Sequence, residues 1–343
     1  MRIALDAMGG DRAPREIVRG ALGAVDQLPE VQIVLIGDQA AVKAELDACG
    51  AGADRLEIVH ADQVIEMHES PVAALRAKPN SSILVMAQLA AQGRVDATVS
   101  AGNTGANVAA MHKAVRRLAG VIRSGISVTM PTAKGSVIVC DVGANVTARP
   151  EHLYQYAVMA SLYARYVAGV EDPRVGLLSV GHERTKGNAV VKDAYKLLEA
   201  DAKLNFAGNV EGHDVYLGTT DVVICDGFVG NVVLKLTEAL GMGILKTMSQ
   251  QLHQAGEEVF KRISSHWNRV ADKYDYATYG GAPLLGINGV FIKCHGASGA
   301  LAVTNGIIRA TLFARHHVND RITERLGGTG ATATDEVVEE PND

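Results

Sequence analysis

The feature that most limits the fold is a unit recurring along the chain. A short apolar run ends in a glycine turn bearing Asn, Asp or Ser, and residues of helical period follow. Its clearest copy is Val222–Leu236, where Val222-Val-Ile-Cys225 runs into Asp226-Gly227, a second glycine stands at Gly230, and the periodic run begins at Asn231. This reads as a buried parallel strand, a tight turn and a helix opening at an Asn cap. Asn231 and Lys235 are four apart and share a helix face. In an open α/β sheet such turns lie at the carboxyl edge of the strands, where ligands bind. A helix start also offers unpaired N–H groups to an anion. For this loop alone, a capped helix with ordinary loop glycines is an equally good reading.

Further strands are expected at Ile3–Leu5, Val31–Gly37, Leu56–His60, 96–100, Ile126–Met130, Val137–Cys140, Val175–Ser179, 206–212 and Val290–Cys294, with helices between them. Residues 62–82 are polar and irregular, with a short helix from Pro71 to Arg76. A long helical region spans 239–274, and Tyr279–Gly286 reads as a break after it. The alternation implies an α/β fold with a mostly parallel sheet sandwiched by helices and right-handed crossovers. No linker divides the chain. A single catalytic domain is expected over 1–326, in one or two lobes, with a helical extension at about 239–274 and a disordered acidic tail at 327–343. At least five strands end in polar glycine turns, and five on one sheet edge would form a ligand crevice.

Other features narrow the function. A net charge of −5 argues against nucleic-acid binding. The four cysteines are far apart, without metal-ligand spacing, and three follow apolar runs as buried thiols would, which suits a reducing cytoplasm. Asp6 comes too early for a signal peptide, and no apolar run reads as long enough to span a bilayer, so membrane contact is expected to be peripheral. There is no G-x-x-x-x-G-K-[ST], no G-x-G-x-x-G after the first strand and no G-x-S-x-G. His68-Glu69 and His182-Glu183 do not continue to a zincin pattern. Glycine loops with Asn, Thr, Ser and lysine suit an oxyanion. Phosphate needs no strong base to act as a nucleophile, and a thioester, whose thiol has a pKa of ~8.5, is a fitting electrophile. Such acyl transfer needs positioning and oxyanion donors more than a triad.

Seven motifs occur in order: Asp6-Ala-Met-Gly-Gly-Asp11, Ser100-Ala-Gly-Asn-Thr-Gly-Ala106, Asp141-Val-Gly-Ala-Asn145, Lys186-Gly-Asn188, Asn209-Val-Glu-Gly212, Asp226-Gly-Phe-Val-Gly-Asn231 and Tyr279-Gly-Gly-Ala-Pro-Leu-Leu-Gly286. Together with His295-Gly-Ala-Ser298 they resemble the bacterial phosphate acyltransferase family, the acyl-carrier-protein:phosphate transacylases called PlsX, from Met1 to about Leu326. The resemblance implies conversion of long-chain acyl carrier protein and inorganic phosphate to acyl phosphate for phospholipid synthesis. It implies a fold like phosphate acetyltransferase and the isocitrate/isopropylmalate dehydrogenases. It further implies a homodimer without metal or nicotinamide, peripheral on the cytoplasmic membrane, supplying a downstream glycerol-3-phosphate acyltransferase.

Carried onto this chain, the resemblance makes Lys186 and Asn231 the catalytic candidates, as charge neutraliser and hydrogen-bond donor. Gly102, Asn103, Thr104, Gly105, Asn145, Asn188, Asp226, Gly227, Gly230 and Ser298 would line the same crevice. The sequence departs from the family pattern at Gly181-His-Glu-Arg-Thr185, Ser124-Gly125 and Val146-Thr-Ala148. Acyl carrier protein is acidic, and Lys113, Arg116, Arg117 and Arg123 form the basic cluster best placed to dock it, with a solvated helix face as the alternative. Leu245, Met248, Leu252, Val259, Ile263 and Val270 recur at helical spacing, as a core or dimer stripe would. Phe260 and Trp267 among basic residues suit a membrane-facing tip instead. An acyl-CoA-dependent phosphate transacylase, an isopropylmalate-type dehydrogenase and a non-catalytic membrane scaffold are the competing functions.

Overall fold

The computed structural model describes residues 1–50, 55–254 and 256–327. Its strands are β1 (Arg2–Asp6), β2 (Gln32–Gly37), β3 (Leu56–His60), β4 (Ala97–Ser100), β5 (Gly125–Pro131), β6 (Ser136–Cys140), β7 (Val175–Leu178), β8 (Phe206–Val210), β9 (Val222–Ile224), β10 (Ala282–Leu285) and β11 (Phe291–Lys293). The helices are α1 (Arg15–Gln27), α2 (Gln39–Cys49), α3 (Pro71–Ala77), α4 (Ser82–Ala91), α5 (Thr104–Val115), α6 (Pro150–Tyr166), α7 (Ala189–Ala200), α8 (Gly212–Leu217), α9 (Gly227–Gln254), α10 (Glu257–Tyr274), α11 (Ala300–Arg315) and α12 (Val318–Leu326).

All the strands join one sheet in the order β3-β2-β1-β4-β11-β10-β5-β6-β9-β7-β8. β2 shows why it is buried on both faces. Ile33 and Leu35 enter one core and Val34 and Ile36 the other, following the two-residue period of a strand. α1, α6, α11 and α12 cover the first face with Ile17, Tyr156, Phe313 and Ile322. α4 and α5 cover the second with Ile83, Met86 and Met111. Each such side chain contributes about 1.5–3 kcal/mol by leaving water.

Most neighbouring strands are parallel, but β5–β6, β5–β10 and β10–β11 are antiparallel. Only residues 132–135 join β5 to β6, too few for a crossover, so the pair closes as a hairpin with Thr132 N donating to Gly135 O at 2.9 Å. β10 lies within the stretch expected to be a break. Two left-handed glycines, Gly280 and Gly281, precede it and Pro283 stands inside it, which disguises a strand. These reversals make the two halves of the sheet run in opposite directions. β1, β4 and β11 end on one edge; β6, β7, β8 and β9 end on the other. The expectation that the glycine turns share one edge is therefore corrected to two groups on opposite edges.

Two further corrections concern α9. The helix begins at Gly227, not at Asn231, because Asp226 Oδ1 accepts from Val229 N at 2.9 Å and caps it. The helical region expected at 239–274 is two helices, α9 and α10, and α9 reaches back to the turn after β9. By length and composition α9 could cross a membrane, although the sequence reading found no such run. Few of its side chains are buried. Leu236, Leu240, Met242 and Ile244 are all more than half exposed. Of the expected stripe, Met248 and Val270 are exposed and Leu245, Leu252 and Ile263 only half-buried, so it is not a core stripe. Beyond Gly327, the expected tail lies outside the described residues.

Candidate functional site

At the edge where β6 and β9 end, Asp141 organises the loop. Its buried carboxylate accepts from four backbone N–H groups: Ile126 (3.0 Å), Gly143 (3.1 Å) and Ala144 (3.0 Å) on Oδ1, and Asn145 (2.7 Å) on Oδ2. Burial pushes its pKa up and these donors pull it down. Asn145 Nδ2 donates to Ser124 O at 2.6 Å and to Tyr156 Oη at 2.8 Å, tying the loop to β5 and α6. α9 starts hard against this loop. A Cβ on Gly230 would lie 1.8 Å from Asp141 O, and one on Gly227 would lie 2.6 Å from Asn145 O. Close backbone approach explains both glycines. Asn231 follows beside Gly143, exposed, with no hydrogen bond to its amide among the described residues.

β7 ends at the same edge and leads into Ser179–Asn188. Glu183 O accepts from Lys186 N at 2.9 Å and from Asn209 Nδ2 at 2.9 Å, which folds the segment against β8. Asn188 Oδ1 accepts from Val191 N at 2.9 Å and caps α7. Lys186 is exposed, and its ammonium has no ion pair among the described residues. Between this segment and the start of α9 lies a cavity of about 560 Å³. Gly187 and Asn188 form one wall, Asp226, Phe228 and Val229 the other, and Leu153 and Leu177 are part of its apolar lining. Cys225 is exposed to this cavity only marginally; burial holds its thiol, like that of Cys140, well above the usual range, so neither is a ready nucleophile.

The second group lies at the edge where β1, β4 and β11 end. Asp6, fully buried, accepts from Ser100 Oγ at 2.6 Å, and Ser100 Oγ in turn accepts from Gly102 N at 3.0 Å and Asn107 Nδ2 at 3.1 Å. Burial raises Asp6, against the pull of the Ser100 and Ser82 hydroxyls. Asn103 caps α5 through Ala106 N at 3.0 Å, while its Nδ2 donates to the carbonyls of Glu66, Met67 and Glu69. Gly105 packs on Pro71, and a Cβ there would lie only 2.5 Å from Pro71 Cγ. Thr104 is exposed, and Ser298 is buried with no partner for its hydroxyl among the described residues. Lys293, also buried, donates to Cys294 O; burial, helped by the charge of Lys235, pushes it down to about 8 despite Asp6 and Asp11. The charges of Glu238 and Lys235 also reach His295, so α9 runs from the first edge towards the second.

The sequence candidates thus divide. Lys186 and Asn231 are exposed, without a side-chain polar partner among the described residues, and each stands one or two positions from a residue that lines the cavity without lining it itself. Asn103, Asn145, Asn188 and Asp226 are engaged as caps or loop ties. Gly102, Asn103, Thr104, Gly105 and Ser298 belong to the other edge. Of the basic residues, Lys113 and Arg116 are exposed, whereas the Arg117 guanidinium is held by Ile122 O. Arg123 is half-buried near His112, His152 and Tyr156, whose titration its charge affects. Sequence reasoning missed Asp141 as the organising carboxylate and Phe228 and Val229 as cavity walls. The Asp-Val-Gly after β6 was a signal for the first; the second pair needed the true start of α9.

The family model described as fatty acid synthesis protein matches residues 1–321. The chain is 50% identical over 308 residues to a phosphate acyltransferase of Desulforamulus reducens, covering 90% of this chain and 92% of that protein. It is 47% identical over 335 residues to the phosphate acyltransferase of Pelotomaculum thermopropionicum, covering 95% and 94%. Among solved structures it is similar in fold to a phosphotransacetylase from Streptococcus pyogenes, with TM-score 0.64, 16% identity and coverage of 92% and 94%. The EutD phosphotransacetylase from Staphylococcus aureus is similar at TM-score 0.61 and 17% identity, with the same coverage.

Proposed function

Because this chain belongs to the fatty acid synthesis protein family of phosphate acyltransferases, we propose that its acyl donor is a long-chain acyl carrier protein and that Lys186 and Asn231 carry the transfer. The enzyme is an acyltransferase that uses phosphate. The observation that carries the finer reading is the largely apolar cavity of about 560 Å³, a size suited to a small-molecule or acyl group, walled by the two segments that bear those residues. A phosphate oxygen attacks the thioester carbonyl; the C–O bond forms, the C–S bond breaks, and the carrier leaves as thiolate. Lys186 neutralises phosphate charge, and the Asn231 amide donates to the oxyanion as it develops. Asp141, through the loop it organises, positions the start of α9 against the site.

The product, acyl phosphate, would feed phospholipid synthesis through a downstream glycerol-3-phosphate acyltransferase. The exposed apolar side chains of α9 support cover by a second copy of the chain and by the cytoplasmic face of a membrane. Residues 1–326 would act as one catalytic unit, with α9–α10 as its extension.

Hydroxylamine trapping tests this reading. Palmitoyl carrier protein and phosphate should yield acyl hydroxamate with wild type, and Lys186→Ala and Asn231→Ala should each reduce the yield by roughly 10²–10³-fold. No product from wild type would refute the reaction; equal yields would remove the substituted residue from its role. Faster turnover of palmitoyl-CoA at equal concentration would replace the carrier-protein donor with the CoA thioester.

A further inference from the structure

Four side chains that acyl transfer leaves unused meet where the segment after β7 faces the turn from β8 into α8. His182 Nε2 lies 2.6 Å from Asp214 Oδ2, and its Nδ1 lies 3.5 Å from Glu211 Oε1. The His213 ring stands edge-on to that of His182 with centroids 6.0 Å apart. Its Nε2 lies 3.6 Å from Asp214 Oδ1 and its Nδ1 3.8 Å from Glu211 Oε2. One donor atom each from His182, His213 and Asp214 falls within 4.8 Å of the others. We propose that His182, His213 and Asp214 bind a divalent transition-metal ion of the zinc class, with Glu211 holding the histidine rings through their Nδ1 atoms, and that this ion staples the segment bearing Lys186 to residues 211–214.

The donor chemistry selects the ion. Two imidazoles and one carboxylate, with a water completing the shell, match zinc and its neighbours, whereas magnesium and calcium favour sites built from oxygen alone. Zinc bonds of about 2.0–2.2 Å place tetrahedral donors about 3.3–3.6 Å apart. The histidines are exposed, so small rotations of their rings bring the donors to that spacing. Asp214 is the fixed point. It is buried, and Glu211 N donates to its Oδ2 at 2.9 Å, the kind of hydrogen bond that orients a metal-binding carboxylate. Glu183 adds negative charge felt at His182, which further favours a dication. The two carboxylates would balance the charge of the ion.

The staple would act on the site because His182 and Lys186 share one folded segment, closed by the Lys186 N to Glu183 O bond at 2.9 Å. That consequence rests on the proposed role of Lys186, but the binding of the ion does not. His182 and His213 are far apart in the chain, and the parallel pairing of β7 with β8 brings them together.

Titration of the chelator-treated full-length protein with zinc chloride, followed by calorimetry, tests the site. One ion per chain is expected, with at least tenfold weaker binding in His182→Ala and in His213→Ala and unchanged binding in His316→Ala, an exposed histidine outside the cluster. Hydrogen exchange at 181–188 should slow on zinc addition in wild type but not in the two cluster variants, a readout independent of catalysis. Absence of saturable binding, or binding unaffected by both substitutions, would overturn the site. Equal binding of magnesium would overturn the class of ion.

Discussion

Gly230→Ala tests whether the site depends on the close approach of α9 to the Asp141 loop. The added Cβ would lie 1.8 Å from Asp141 O and 2.9 Å from Cys225 Sγ, whereas real Cβ contacts essentially never fall under 3.0 Å. Relieving the first contact takes a shift of about 1.2 Å, the difference between 1.8 and 3.0 Å. The nearest atom is backbone, in a loop held by four bonds to the Asp141 carboxylate, so the helix start must move instead. Overpacking of this kind costs roughly 1–3 kcal/mol. Asn231, the next residue, moves with it, and a misplacement of about 1 Å in a catalytic group can cost roughly 100-fold in rate. Gly241→Ala is the control. It lies in the same helix with nothing within 4 Å of its Cβ, so it should stabilise by about 0.5–1 kcal/mol without loss of activity. Thermal unfolding and hydroxamate yield measure both variants. Wild-type stability and rate in Gly230→Ala would refute the argument that this contact sets the position of Asn231.

Three other outcomes are expected. Asn145→Ala should destabilise by roughly 1–3 kcal/mol, because it strips partners from Ser124 O and the Tyr156 hydroxyl, while the KM for phosphate stays near wild type; a large KM change at unchanged Tm would make Asn145 a substrate ligand. Burial holds Lys293 at about 8, below the ordinary 10.5 of a lysine, so the unfolded chain holds more protons between those values and stability should rise with pH across that window, by about 3 kcal/mol from this group. Lys293→Met should flatten that rise, and an identical pH profile in the variant would exclude Lys293 as its source. Arg116→Glu should raise the KM for the carrier protein at unchanged Tm, whereas Arg117→Glu should also lower Tm because its guanidinium holds Ile122 O; unchanged KM values in both would remove this patch from docking.

The sequence by itself determined the local units and the family. Apolar runs such as Val222–Ile224 could only be buried strands, and the glycine turns after them marked the loops from which the site is built. It also singled out Lys186 and Asn231 as candidates, because motif order does not depend on how the strands pair. The tertiary structure decided which loops meet. One hairpin at β5–β6 and the inserted β10 reverse the strand direction, so turns of similar composition are divided between two edges. It also decided which polar side chains remain free. Asn103, Asn145 and Asn231 look alike in their glycine loops, yet the first two are bound to neighbouring backbone and only the third keeps an unpartnered amide among the described residues. The reason is physical. A strand or a cap is set by residues within a few positions, whereas strand direction, a shared cavity and the pairing of His182 with Asp214 depend on contacts between distant segments, which local periodicity does not encode.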